Sequence, residues 1–438
     1  MELLEQLRKS FFWTLDRIKD RQVGKHFENI QSVLENGNSE EAKKMQLATL
    51  QSLLHHATHS TSFYSGLKGK KDLTDFPVMD KNIIRQNFEK LISNKFKKEE
   101  LKSVVTSGST GTPFKILQNI NKQKRNTADT IYFAKKAGYD IGQKLLYLKI
   151  WNSVNQKNAL SAWAQNILAA DVTDLSDSSI EHILKSLSVG SSKKGILSYA
   201  SALEVISEYI DRKNLHVEKY NVGSIIAMSE AINKTTKEKL EKQFGTKVVS
   251  RYSNVENGIL AQQCLEENNE FHLNTASYVF EILKLGKDEP VAEGKLGRIV
   301  VTDLYNYGMP IIRYDTGDLG IKKPSSKCSF KTPVFTNVEG RRMDMVFDTN
   351  GEIISSFTIT NNLWNYPEIV QYQFIQTGEK EYEFILNLEG DFSREQELIE
   401  EFKTYFGLDA IIKVSYVDGI PLLNSGKRKK VINKYQSS

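Results

Sequence analysis

The chain has 438 residues, of which 39% are apolar and 26% charged, with 21 Phe and 18 Tyr. That is apolar mass for two or three folding units, and it excludes a largely disordered chain or a small disulfide-stapled module. Fifty-nine Lys and Arg against 54 Asp and Glu leave a formal charge of +5, short of the strongly basic domain of a dedicated nucleic-acid binder.

The opening MELLEQLRKSFFWTLDRIKDRQ carries charge in every turn and lacks an apolar core and a small-residue cleavage site, so it does not read as a signal peptide. No stretch approaches the roughly 18 apolar residues that span a bilayer, so no transmembrane segment is expected. Residues 1 to 100 read as helices. In EEAKKMQLATLQSLLHHATHS the spacing places Met45, Leu47, Leu50, Leu53 and Leu54 on or near one core-facing side. His55, His56 and His59 lie in the same stretch with no carboxylate or Cys beside them, which favours surface or capping roles over metal binding. From residue 100 onward, short β-rich runs (SVVT, LLYLKIW, SIIAMS, KVVSRYS, YVFEILKL, GRIVVTDL) alternate with polar helical stretches such as NKTTKEKLEKQFG. This pattern predicts α/β layers with a mixed or parallel sheet. After about residue 345 it resets: EIVQYQFIQT and EYEFILNL flank the turn GEKE, then come a helix-like SREQELIEEFKTYFG, the strand IIKVSYVDG and a basic tail. These make a small α+β unit within the usual domain size. The sequence shows no internal repeat.

The stretch TSGSTGTPFK, Thr106 to Lys115, sets Ser107, Ser109 and Thr110 around Gly108 and Gly111 directly after a strand. Glycine permits close approach and the φ values of an anion-binding nest, so backbone N–H groups and hydroxyls can meet phosphate oxygens. An ordinary Ser/Gly turn has the same composition, and no GK[ST] follows as it would in a nucleoside-triphosphatase loop. Four further segments follow in order: RYSNVENG with Tyr252 and Glu256, NYGMPIIRYDTGDLG with Asp318, GRRMDMV, and PLLNSGKRKKVI with Lys427.

Each is weak alone, but together and in this order they resemble the motifs of the adenylate-forming superfamily of acyl-CoA synthetases. In detail the chain resembles the phenylacetate-CoA ligase family and its relatives from capsule and surface-polysaccharide gene clusters. The N-terminal LLHHATHSTSFYSGL and LTDFPVMDKNIIRQNFEKLIS extend the resemblance over nearly the whole chain. It implies an α/β fold, with a large ATP- and acyl-binding domain over 1–343, mainly helical to residue 100, and a small mobile α+β lid domain over 344–438. It also implies an enzyme that uses ATP and Mg²⁺ to join a small carboxylic acid to AMP, releasing pyrophosphate, and then passes the acyl group to a thiol, that of coenzyme A, or to an amine. The two cysteines, Cys264 and Cys328, far apart and outside any CxxC pair, make a reducing compartment, the cytoplasm, the expected location. A scaffold that binds nucleotide without turnover is the opposing class, and a homodimer stays open.

Residue by residue, the resemblance assigns Ser107, Gly108, Ser109, Thr110, Gly111 and Thr112 to the β- and γ-phosphates. Tyr252 faces adenine, Glu256 holds Mg²⁺, Asp318 accepts from the ribose hydroxyls, and Arg341 reaches ribose or α-phosphate. Ser229, Glu230 and Ala231 wall the adenine and acyl pocket, although a capping box for the next helix explains them almost as well. Asp344 is the hinge. Lys427 carries positive charge to the carboxylate and α-phosphate, where two anions must approach. Three departures from the family pattern stand out: Phe114 follows Pro113 where a lysine is common and Lys115 is displaced by one, Asp315 replaces an arginine, and Ser253 replaces a glycine. Some family members hold a zinc in the regions of Cys264, His272 and Cys328, with a further Cys where Phe330 stands here. Three ligands leave a structural site open, which favours buried free thiols over zinc.

Overall fold

The computed structural model of the chain describes residues 2–37, 39–106, 114–151, 159–266, 270–324, 330–341, 346–354, 356–363, 365–388, 390–421 and 430–435. It divides into two compact units, one of residues 1–232, 236–316 and 320–337, the other of 233–235, 317–319 and 338–438.

The first unit opens with helices α1 (Leu3–Ile18), α2 (Gln22–Glu35) and α3 (Glu40–Ser60). Ser39 starts α3 by accepting the Ala42 N–H at 3.1 Å, and Glu40 and Glu41 add charge of the sign that suits a helix N-terminus. Leu53 and Leu54 are buried as the spacing predicts, but Met45 and Leu47 are 43% and 54% exposed. The core cluster that takes Leu53, Leu54 and Ala57 begins only half-way along the helix. Periodicity marks a helix face without telling how much of its length is covered. Next come α4 (Lys81–Gln86), capped by Asp80 accepting from the Ile83 N–H at 2.8 Å, and α5 (Phe88–Leu91). Strands β1 (Lys102–Thr106) and β2 (Phe114–Gln118) then pair antiparallel with Thr106 opposite Phe114, and α6 (Ile120–Lys136) follows.

Strand and helix then alternate: β3 (Lys144–Lys149), α7 (Ala159–Ala164), β4 (Ile167–Asp171), α8 (Asp177–Ser188), β5 (Lys194–Tyr199), α9 (Ala200–Arg212), β6 (Val222–Met228), α10 (Lys234–Phe244) and β7 (Val248–Asn254). These strands lie parallel in the order β4-β3-β5-β6-β7. The sheet grows to eleven strands with β8 (Gly258–Gln262), β9 (Phe271–Leu273), β10 (Tyr278–Leu283), β11 (Leu296–Asp303), β12 (Tyr314–Lys323) and β13 (Val334–Arg341), continuing β7-β8-β9-β13-β12-β11-β10. Both faces of the parallel part are covered, as such sheets require. Leu146, Leu148, Ile196, Ile225 and Val248 pack with Ile180, Leu184, Leu203 and Ile206 of α8 and α9. Leu197, Ile226, Met228 and Val249 face the other way, towards Ala137 just past α6. At roughly 1.5–3 kcal/mol per fully buried aliphatic side chain, these two layers are a large share of the favourable free energy.

Helix α6 also buries ions. Lys122, Arg125 and Asp129 are all fully buried, and each has partners. Lys122 Nζ lies 2.7 Å from Asp303 and donates to the Tyr278 hydroxyl at 3.0 Å. Arg125 donates to Ser277 Oγ at 2.7 Å, the Ala276 carbonyl at 2.6 Å and Asn29 Oδ1 at 2.8 Å, while Ser277 donates to Asp129 at 2.9 Å. Buried charges persist when paired in this way. Nearby His26, hydrogen-bonded to Asn121 at 2.9 Å, has its pKa lowered to about 4, first by burial and then by Arg125. Its folded value lies below the unfolded one of about 6.5, so the His26 contribution to stability is fully present above pH 6.5 and is lost as pH drops towards 4. Thermal unfolding across that range should show a smaller loss in His26→Gln than in the wild type; identical pH profiles would remove His26 from the acid response.

The second unit contains β14 (Val346–Phe347) paired with β15 (Ile353–Ile354), α11 (Ser356–Leu363), β16 (Ile369–Gln376), β17 (Glu381–Leu388), α12 (Glu395–Phe406), β18 (Ile411–Tyr416) and β19 (Val431–Asn433). Its four-stranded sheet has the order β18-β17-β16-β19. Leu398, Phe402 and Phe406 of α12 pack on Phe374, Tyr382 and Phe384. This is the strand–turn–strand–helix–strand unit that the sequence predicts, enlarged by β14, β15, α11 and β19.

Candidate active site

Among the predicted carboxylates, Glu256 is held by several described contacts. It is 4% exposed. The Tyr314 hydroxyl donates to its Oε1 at 2.6 Å, and Lys81 Nζ stands 3.2 Å from the same oxygen. The turn that presents it is fixed on every side. Gln118 Nε2 donates to the Glu256 carbonyl at 3.0 Å, the Tyr278 hydroxyl donates to the Asn257 carbonyl at 2.6 Å, and Asn254 Oδ1 accepts the Asn257 N–H at 2.8 Å. Gly258 ends the turn at φ +115, where a Cβ would stand 2.9 Å from Asn126 Oδ1, so the position needs glycine.

Lys81 reaches this carboxylate because Met79 adds a bridge to the start of β12. The Met79 N–H donates to the Arg313 carbonyl and the Asp315 N–H donates to the Met79 carbonyl, both at 2.9 Å. Arg313 holds a left-handed backbone, φ +53, locked by its guanidinium on Glu281 at 2.9 and 3.0 Å and on the Phe76 carbonyl at 2.9 Å. Strain of this kind persists where surrounding contacts over-determine it. Phe114 is fully buried, stacks on Tyr314 at 6.2 Å and lies under Lys81 Nζ at 5.3 Å.

Tyr252 is half-buried at the end of β7, its hydroxyl donating to Thr316 Oγ1 at 3.4 Å. Gly317 (φ +82) and Asp318 follow Thr316 along β12. The structure thus gathers Tyr252, Glu256 and the start of β12 around Lys81 and Tyr314. Ser229 follows β6 at φ +70, exposed, and Glu230 accepts the Ser201 N–H at 3.1 Å at the start of α9. Ser107 to Thr112, Asp344 and Lys427 lie outside the described residues, as does the side chain of Arg341.

Two of the sequence departures have structural reasons. Asp315 pairs with Arg298 on the neighbouring strand at 2.8 Å, and Ser253 sits at the register shift between β7 and β8, a place where bulges re-aim side chains. Displaced Lys115 lies over the Phe88 ring at 5.7 Å. The residues that sequence reading missed are Lys81, Tyr314 and Gln118. Tyr314 and Lys81 both lie inside quoted segments, but neither stood out by residue type, and Lys81 meets Glu256 only through the tertiary fold.

A magnesium ion keeps most of its waters and needs one or two carboxylate oxygens beside phosphates. Glu256 fits, because Tyr314 and Lys81 engage Oε1 and no described residue bonds Oε2. For zinc, Cys264 is buried. His272 is buried, stacks on Phe330 at 4.5 Å and has its pKa lowered to about 4 by burial. Cys328 is outside the described residues, and among the described ones no cluster of three metal-ligating side chains occurs. Nor is any described helix long and apolar enough to cross a membrane.

An N-terminal helical region, a large mixed sheet and a small C-terminal sheet unit make the fold that of adenylate-forming CoA ligases. 2-Hydroxyisobutyryl-CoA ligase in its postadenylation state, bound to 2-HIB-AMP, matches with a TM-score of 0.70 over 90% of each chain at 16% identity. Amide bond synthetase McbA from Marinactinospora thermotolerans matches at 0.56 over 76% of this chain and 67% of that one, 12% identical. Residues 346–434 match the family model of the CapK C-terminal domain. In sequence the chain is similar to Protein CapK of Staphylococcus aureus, 22% identical over 437 residues that cover 95% of this chain and 94% of that protein. It is also similar to phenylacetate-coenzyme A ligase of Aromatoleum evansii, 20% identical over 431 residues, 92% and 96% of the two chains. The resemblance read from the motifs therefore holds.

Proposed function

We propose that this chain activates a carboxylic acid with ATP. The acid's carboxylate oxygen attacks the α-phosphorus, the bond to the β-phosphate oxygen breaks, pyrophosphate leaves and an acyl-adenylate remains. A thiol sulfur, that of coenzyme A, then attacks the acyl carbon and AMP departs. Ser107 to Thr112 cradle the outer phosphates, Tyr252 faces adenine, Asp318 and Arg341 hold the ribose, and Lys427 meets the charge that grows as the two anions join. A magnesium ion held by Glu256 would neutralise phosphate charge. Lys81 and Tyr314 hold the Glu256 carboxylate in place. Residues 344–438, turning at Asp344, would shield the hydrolysis-prone adenylate from water.

The observation that carries this reading is the buried, doubly held Glu256 carboxylate beside Tyr252 and the start of β12, in a fold shared with ligases that form acyl-adenylates. A second reading passes the acyl group to an amine, favoured by the likeness to an amide bond synthetase. Acid-dependent pyrophosphate release across a panel of carboxylic acids, with coenzyme A or an amine added, tests both. A thioester product supports the first acceptor and an amide the second; ATP binding without pyrophosphate for every acid overturns the reading in favour of a nucleotide-binding scaffold.

A further inference from the structure

Tyr199 of β5, Met228 of β6 and Arg251 of β7 stand in register in one row at the carboxyl end of the parallel strands. Leu197, Ile226 and Val249 lie one row below, and Tyr147 of β3 packs on the same face. The strand order reverses between β3 and β5. In open α/β sheets the crevice beyond the strand ends at such a reversal is where ligands bind.

Arg251 is an unusual residue for this row. It is 8% exposed, and its Nε donates to Gln262 Oε1 at 2.8 Å. Gln262 is itself pinned by donating from Nε2 to the Phe133 carbonyl at 2.8 Å. The guanidinium is thus held in one orientation, yet Nη2 is buried with no hydrogen-bond partner, and no carboxylate pairs with it among the described residues. Burial lowers its pKa to about 10, so it remains a cation at neutral pH. An unpaired buried cation opposes folding, and an aliphatic residue like Val249 would serve the core better. A ligand that brings the missing acceptor accounts for its presence.

We propose that Arg251 pairs with a second anionic group on the acid, so that the chain activates small dicarboxylic acids, adenylating one carboxylate while the guanidinium holds the other. This rests on the adenylation reading above. A planar fork suits a carboxylate, and Tyr147, Tyr199 and Met228 would enclose the carbon chain between the two acid groups. An acid without the second charge would leave the guanidinium unpaired, and sites built to bond a polar group reject analogues that lack it.

The test is ATP–pyrophosphate exchange with matched pairs: glutarate and pentanoate, adipate and hexanoate, benzene-1,4-dicarboxylate and benzoate. In at least one pair the wild type should favour the diacid in kcat/KM by about 10²-fold or more. Arg251→Met should abolish or reverse that ratio while still turning over the monoacid, and Arg251→Lys should keep part of it. A wild-type preference for the monoacid in every pair overturns the proposal and needs no variant; so does equal loss of both acids in Arg251→Met. Should no acid support exchange, the adenylation reading fails by itself. In that case a rise in melting temperature with diacid, absent in Arg251→Met, would uphold the anion site, and no such rise would end it.

Discussion

Glu256→Gln should lower acid-dependent pyrophosphate release by about 10²- to 10³-fold, the usual effect of removing one preorganised charge-stabilising group. Glutamine keeps the shape and an acceptor for the Tyr314 hydroxyl, which bonds Oε1 at 2.6 Å, so the turn should stand. What disappears is the negative charge beside Lys81, at 3.2 Å, and with it the oxygen suited to a hard cation. The loss should therefore fall on turnover, with the melting temperature nearly unchanged. Tyr314→Phe, which leaves the charge but removes its donor, should cost less, because a hydrogen bond to a charged group contributes about 1.5–3 kcal/mol. Unchanged release in Glu256→Gln would place the chemistry elsewhere.

Lys122→Met should destabilise the large unit by about 3–5 kcal/mol, the cost of stranding one member of a buried ion pair. Asp303, 2.7 Å from the Lys122 ammonium, would remain in the core without its counter-ion. Against a typical total of about 5–15 kcal/mol, that is a large fraction. The damage should also reach the site, because Lys122 bonds the Tyr278 hydroxyl at 3.0 Å, and that hydroxyl fixes the Asn257 carbonyl next to Glu256. Removing both charges in Lys122→Met/Asp303→Leu should recover much of the stability, since well-packed apolar replacements of buried pairs are often tolerated. Urea unfolding followed by tryptophan fluorescence reads this directly; an unshifted midpoint for the single variant would mean that the pair carries little.

How much of this was legible in the chain depends on the kind of signal. In EYEFILNL the alternation puts Tyr382, Phe384 and Leu386 inside, and they are buried, so the small unit could be read by period alone. KGILSY has no alternation because β5 is covered on both faces, and short apolar runs of that sort do not separate strand from buried helix. Helical spacing found the core residues Leu53 and Leu54 but could not show that Met45 and Leu47 lie beyond the core. Of the residues gathered around Tyr314, Tyr252 and Glu256 were marked by motif. Lys81 was not, because a lysine in the first turn of a short helix looks like surface until Met79 bridges to Tyr314. Arg251 likewise reads as a charge on a strand, and only the three-dimensional burial reveals an unmade hydrogen bond.

The most direct measurement follows oxygen. The acid, labelled with ¹⁸O in its carboxyl group, is incubated with ATP and the acceptor, and the nucleotide product is weighed by mass spectrometry. Attack of the carboxylate on the α-phosphorus leaves one labelled oxygen in AMP once the acyl group has moved on, and that is the predicted result. Unlabelled AMP, or ADP with the label in inorganic phosphate, would contradict it.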